Sequence, residues 1–199
     1  MTTFRLIAAV LSAAAIAACS TPPAPVQPPA APPATTTTPD VPGADPVAWF
    51  EAYCGPLGVT EIARGDIQAK VPQGMAAVKD AVVRWASTAA ASDRKIADDL
   101  EKLGPLSSDV QNPHERLIKA LRQSATGFDD ASGRLRALAA DDVFPERYAQ
   151  VMATSGGPAR ENATLMFKQI VDVPKYGEVF RANKVCADWQ ALAKQGQGK

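Results

Sequence analysis

QGMAAVKDAVVRWASTAAASDRKIADDLEKLGP, residues 73–105, decides the fold. Met75, Val78, Val82, Trp85, Ala89, Ser92, Ile96, Leu100 and Leu103 recur at spacings of three and four, which lines them along one face of a long helix before Gly104-Pro105 stops it. Downstream, Asn112-Pro113-His114-Glu115 reads as a cap, a first-turn proline and a third-position glutamate resembling a capping box. The helix it opens, expected over 113–140, carries Leu117, Leu121, Ser124 or Ala125, Phe128, Ala131, Leu135 and Leu138 on its apolar stripe. Two long helices joined by a short connection should pack antiparallel.

Outward from this pair the segments shorten. Asp45-Pro46 caps and starts a helix with Trp49, Phe50 and Tyr53 on one face, and Gly55-Pro56 should end it. Residues 57–72 are ambiguous. A short helix is expected over 145–154, broken by Ser155-Gly156-Gly157; another starts at Pro158 with Ala163, Met166, Ile170 and Val173 inward. After Pro174 a last helix should run to about Lys194 with Val179, Ala182, Cys186 and Trp189 inward. No segment sustains period-two alternation, so the fold class is all-α, a helical bundle.

The first residues set location. Arg5 precedes an apolar run from Leu6 to Ala18, the layout of an export signal and too short for a membrane span of about 20 residues. Ile16-Ala17-Ala18-Cys19 resembles the lipobox of bacterial lipoproteins. That resemblance implies diacylglycerol on the Cys19 thiol, cleavage before it and acylation of the new amine, leaving the chain lipid-anchored to the cell membrane with its domain on the extracytoplasmic side. The abundance of alanine resembles envelope lipoproteins of actinobacterial, including mycobacterial, type. Residues 20–46 then shift to Pro, Ala and Thr with only Asp40 and Asp45 charged, a composition that cannot form a core and reads as a disordered linker of ~3.1 Å per residue. Thr35 to Thr38 beside Pro39 suit glycosylation as well as a plain spacer. The organisation is therefore a signal over 1–18, a lipidated cysteine and tether over 19–46, and a helical domain over 47–199.

With Cys19 assigned to lipid, Cys54 and Cys186 are the remaining thiols, and an exported, oxidising context favours a disulfide between them over two free cysteines. Such a bond would close the bundle by clasping its two ends, with Trp49 and Trp189 nearby as core.

Composition argues against several functions. Twenty-one basic residues balance 21 acidic ones, which leaves no electrostatic footprint for nucleic acid. His114 is the single histidine, expected in a helix's first turn and facing solvent, so neither a metal cluster nor a His-based triad is expected, and no catalytic residue or cofactor is assigned. Asp98-Asp99, Asp129-Asp130 and Asp141-Asp142 lack EF-hand spacing and read as solvated helix faces. Asn162-Ala163-Thr164 matches a glycosylation triplet inside an expected helix, where chance accounts for it.

The expected role is a tethered, non-catalytic binding or scaffolding module whose partner is an envelope protein. The alternative is a carrier of a small apolar ligand, lipid or haem, in a cavity lined by Met75, Phe128, Met152, Met166 or Phe167. A partner surface is expected near the breaks around Gly156 and Pro174, with Tyr148, Arg160, Tyr176 and Arg181 as contact residues; the competing expectation is that the tyrosines complete the core.

Overall fold

A computed structural model describes residues 43–155 and 157–195; the expected export signal, Cys19 and all but the last residues of the expected tether lie outside that range. The described residues form α1 (Pro46–Lys70), α2 (Met75–Leu103), α3 (Gln111–Ala137), α4 (Phe144–Thr154), α5 (Gly157–Val171), α6 (Pro174–Ala182) and α7 (Lys184–Gln195). Short 3-10 turns at Val71–Gln73 and Ser108–Val110 join the first three, and no strand occurs among the described residues. The all-α reading holds.

α2 and α3 are antiparallel, as their contacts show: Lys79 lies against the end of α3, Ser87 bonds Ser132, Arg94 pairs with Asp129, and Arg122 pairs with Glu101. Residue numbers rise on one helix as they fall on the other. Lys79 Nζ donates to the carbonyls of Arg136 at 2.8 Å and Leu138 at 2.5 Å, so a cation from α2 satisfies acceptors that the end of α3 leaves open. Leu103, expected inward, is exposed.

α1 starts as the sequence suggests: Pro46 occupies its first position, and Asp45 Oδ1 accepts from the Ala48 N–H at 2.9 Å. It does not end at Gly55-Pro56. The helix runs on through Pro56 to Lys70, which corrects the expected boundary and resolves the ambiguous stretch after it. A proline inside a helix removes one N–H and crowds the carbonyl four residues back, here that of Ala52. The helix continues with this turn tied to α2: the Pro56 carbonyl accepts from Ser92 Oγ on α2 at 3.0 Å and, within α1, from Thr60 Oγ1 at 3.3 Å.

Two more boundaries differ. α3 opens at Gln111 out of the preceding 3-10 turn, so Asn112 sits inside the helix without a capping bond, and Glu115 accepts instead from Gln111 Nε2 at 2.9 Å. The expected last helix is two, separated at Asn183, whose backbone is extended (φ −74°, ψ 119°). Its side chain accepts from the Cys186 N–H at 3.2 Å, the N-cap bond that starts α7, and a cap needs non-helical backbone. Ala182, expected inward, is exposed at this break.

The core has two parts. Around Trp49, Phe50, Tyr53, Ile96, Leu117, Phe167 and Ile170, helices α1, α2, α3 and α5 meet; around Val82, Phe128, Leu135, Phe144 and Val151, α2, α3 and α4 meet. Each fully buried large side chain stabilises by roughly 1.5–3 kcal/mol, an upper figure because the unfolded chain already hides some surface. Aromatic geometry orders the first part: Tyr53 stacks on Phe167 with centroids 3.9 Å apart, and Trp49 meets Phe50 edge-on at 5.2 Å. Cys54 and Cys186 form the disulfide beside it, both fully buried, tying α1 to α7 across 132 positions of sequence. Trp49 is core, and Trp189 packs half-buried against the same cluster.

The chain enters the domain at a tight contact. Ala44 N–H donates to the Pro105 carbonyl at 3.0 Å, and Gly43 lies so close to the Leu106 carbonyl that a Cβ would sit 1.8 Å from its oxygen. Only glycine fits there.

Candidate functional site

Three features combine geometry with chemistry. The first is a buried charge. Asp93 follows Ser92 on α2, is 0 % exposed, and receives a hydrogen bond and ion pair from Arg160 Nη1 of α5 at 2.6 Å. Its other oxygen, Oδ2, has no hydrogen-bond partner, and neither has the buried hydroxyl of Ser124 on α3, although that hydroxyl lies beside the carboxyl. Burial raises the Asp93 pKa, and the charge of Arg160, ahead of the adjacent Ser124 hydroxyl, offsets only part of that rise. The phenol of Tyr53 on α1 feels both charges: burial raises its pKa, Arg160 lowers it and Asp93 raises it. Arg160 also lies 6.0 Å from the Phe128 ring. One ionic contact thus joins α2 to α5, in a setting where losing Arg160 strands a fully buried carboxylate, while Arg160 itself still reaches solvent.

The second feature is His114, which is buried rather than facing solvent as expected. It is 3 % exposed and accepts from Trp49 Nε1–H at 3.4 Å through Nδ1, which places the ring proton of the neutral imidazole on Nε2. Burial lowers its pKa, with the Glu115 carboxylate opposing. The assumption of solvent exposure failed because a first-turn position is open only if nothing packs against it, and here α1 supplies an indole. His114 also lines a trough of about 620 Å³ with Pro105, Ile118 and Arg122.

The third is a groove of about 640 Å³ between α1 and α2. Ala52, Gly55, Pro56 and Val59 form one wall and Ser87, Thr88, Ala91 and Ser92 the other, with Glu51, Lys95 and Asp99 at one end. The internal proline shapes it. Without a Pro56 N–H, the carbonyl of Ala52 lacks its helical donor beside the groove, and Val59, more than half exposed, gives the wall an apolar lip.

The residues singled out for a partner surface do not come together as one face. Tyr176 is buried in the first core cluster with its hydroxyl on Ser107, Tyr148 packs edge-on to Trp85 in the second, Arg160 is committed to Asp93, and Arg181 is exposed on α6. The suggested cavity lining divides likewise: Met75, Phe128 and Met152 belong to the second cluster, Met166 and Phe167 to the first. The aspartate doublets carry surface ion pairs, among them Lys95 with Asp99, Arg134 with Asp130 and Arg147 with Asp141. Asn162-Ala163-Thr164 lies within α5. Among the described residues, no three His, Cys, Asp or Glu side chains are grouped to hold a metal.

Sequence reasoning missed Asp93, which sits one residue past the Ser92 of the apolar stripe. A carboxylate at that phase of an otherwise apolar face was the available signal. Compared with known proteins, the chain matches no family model, no curated protein and no solved structure. No helix among the described residues is long and apolar enough to cross a membrane.

Proposed function

We propose that the protein is a lipid-anchored module of the bacterial cell envelope, held on the extracytoplasmic side through Cys19, that binds a partner protein without chemistry of its own. The observation that carries the binding role is the α1–α2 groove: 640 Å³ lies within the range of ligand sites, and its apolar walls with few polar atoms suit an extended apolar segment. The Ala52 carbonyl, which has no Pro56 N–H to bond, gives such a segment one backbone acceptor. Support for the anchor is the Ile16-Ala17-Ala18-Cys19 motif after a short apolar run, followed by a proline-rich segment.

A photo-crosslinking residue at Thr88, inside the groove, and another at Lys184, on the exposed start of α7, test the reading in intact cells. The expected result is a discrete adduct from Thr88 alone. Equal adducts from both positions, or none, would remove the groove from consideration. Native mass spectrometry of the protein extracted from its own membrane separates the carrier reading, since a retained lipid or haem would favour that instead. Mass analysis of the mature N-terminus decides the anchor, with an unacylated Cys19 counting against it.

A further inference from the structure

The surface cations of this domain are mostly engaged: Arg122 with Glu101, Arg94 with Asp129, Lys168 with Asp172, Lys79 with two carbonyls. Arg116 and Lys119 are not. They stand one turn apart on α3, exposed, and among the described residues neither makes an ion pair or a hydrogen bond. Both line the same pocket of about 290 Å³ between α3 and α5, together with Gln123 of α3 and Asn162 of α5. Buried Ala120 and Met166 complete its lining.

No carboxylate lines this pocket. Glu115, next to Arg116 in sequence, is turned to Gln111, and Glu161, next to Asn162, is not part of the lining. The concavity therefore presents two positive charges and two carboxamides, each able to donate N–H bonds, with no negative group of its own. That donor set is complementary to a tetrahedral oxyanion: a guanidinium pairs with two oxygens in a plane, an ammonium adds a point charge, and carboxamides fill the remaining directions.

We propose that the α3–α5 pocket binds a phosphate group, with Arg116 and Lys119 as its charge partners and Gln123 and Asn162 as its hydrogen-bond donors. The site shares no residue with the α1–α2 groove and stands whether or not that groove binds a protein. Two sources supply such a group, a soluble phosphate ester and the headgroup of an anionic phospholipid, and the oxyanion chemistry is common to both.

The test is a nuclear magnetic resonance titration of the purified protein with inorganic phosphate, at constant ionic strength, reading the side-chain amides of Gln123 and Asn162. It is paired with co-sedimentation on phosphatidylcholine vesicles with and without phosphatidylglycerol. Saturable amide shifts, weakened about tenfold or more in R116Q/K119Q, support the site with a soluble ligand. Sedimentation that requires phosphatidylglycerol and is lost in the same variant supports it with a headgroup. Both substitutions are on exposed positions, and an unchanged thermal melt confirms that the variant is folded. Amides that ignore phosphate together with sedimentation indifferent to the double substitution would overturn the proposal, as would shifts of equal size in the variant.

Discussion

Trp49 and His114, 65 positions apart, meet inside the bundle with the indole N–H on the imidazole Nδ1. The bond exists only while the imidazole is neutral, because a protonated ring has no acceptor at Nδ1.

Acidification should therefore loosen the joint between α1 and α3. Burial places the folded pKa of His114 below its unfolded value, so the unfolded chain takes up this proton first. Stability from this group is fully present above about 6.5 and declines as the pH falls from there toward the lower folded value. Thermal melts across pH 7.5 to about 5 should show the decline, and H114Q should flatten it. An equal decline in H114Q would assign it elsewhere.

Asp93 behaves in the opposite sense. Its folded pKa is raised, so the folded state holds the proton more tightly, and the contribution of this group to stability rises as the pH falls through the folded value toward about 3.8. The two partners also differ in cost. R160M leaves a fully buried carboxylate unpaired and should cost about 3–5 kcal/mol near neutral pH. D93N leaves a guanidinium that still reaches solvent, at about 1 kcal/mol. The R160M deficit should shrink on acidification, since the stranded carboxyl can then protonate. Denaturant melts at two pH values check both statements; a pH-independent R160M deficit would contradict them.

Removing the Cys54–Cys186 bond should lower the melting temperature while leaving the helical signal largely intact in the cold. For a loop of 132 positions the chain-entropy estimate is about 5 kcal/mol, an upper figure because native strain and residual unfolded structure reduce it. Both cysteines are fully buried, so a thiol reagent after mild reductant should find little to label until the domain unfolds. Two thiols titrating in the untreated native protein would refute the bond.

Pro56→Ala restores the N–H that the Ala52 carbonyl lacks, in a helix that already continues through the position. The expected effect is a gain of roughly 1 kcal/mol, the regained bond and helix propensity outweighing the freedom returned to the unfolded chain. If the groove takes a partner, crosslinking from Thr88 should fall in the same variant. A loss of stability instead would mean that the proline ring itself packs the α1–α2 contact.

The α2–α3 pair was legible because its pattern is strict: residues 75–100 repeat the helical period without interruption, and the partner strip on 117–135 does the same. What failed is what distant contacts decide. Gly55-Pro56 reads as a stop, yet Ser92, 36 residues on, accommodates the proline carbonyl and the helix continues. Asn183 breaks the last helix with neither glycine nor proline beside it, since its capping bond to Cys186 favours an extended backbone there. The disulfide was readable by elimination. Asp93 with Arg160, His114 with Trp49, and the pocket of Arg116 with Asn162 each join separate helices, and no local pattern announces such a pairing.

The clasp between α1 and α7 has a mechanical consequence if the domain is held, as proposed, through a leash, the residues ahead of Gly43. A pull applied through the residues before Gly43 is met first by the Ala44–Pro105 contact, then by the early turns of α1 as far as Cys54. There the covalent path crosses to Cys186, so tension between the leash and α7 bypasses the 131 residues between the two sulfurs. Those residues carry the buried ion pair, the α3–α5 pocket and all of the groove lining except Glu51 and Ala52. The bond spares their backbone a load of that kind, whereas a pull against something seated in the groove would still cross the groove itself.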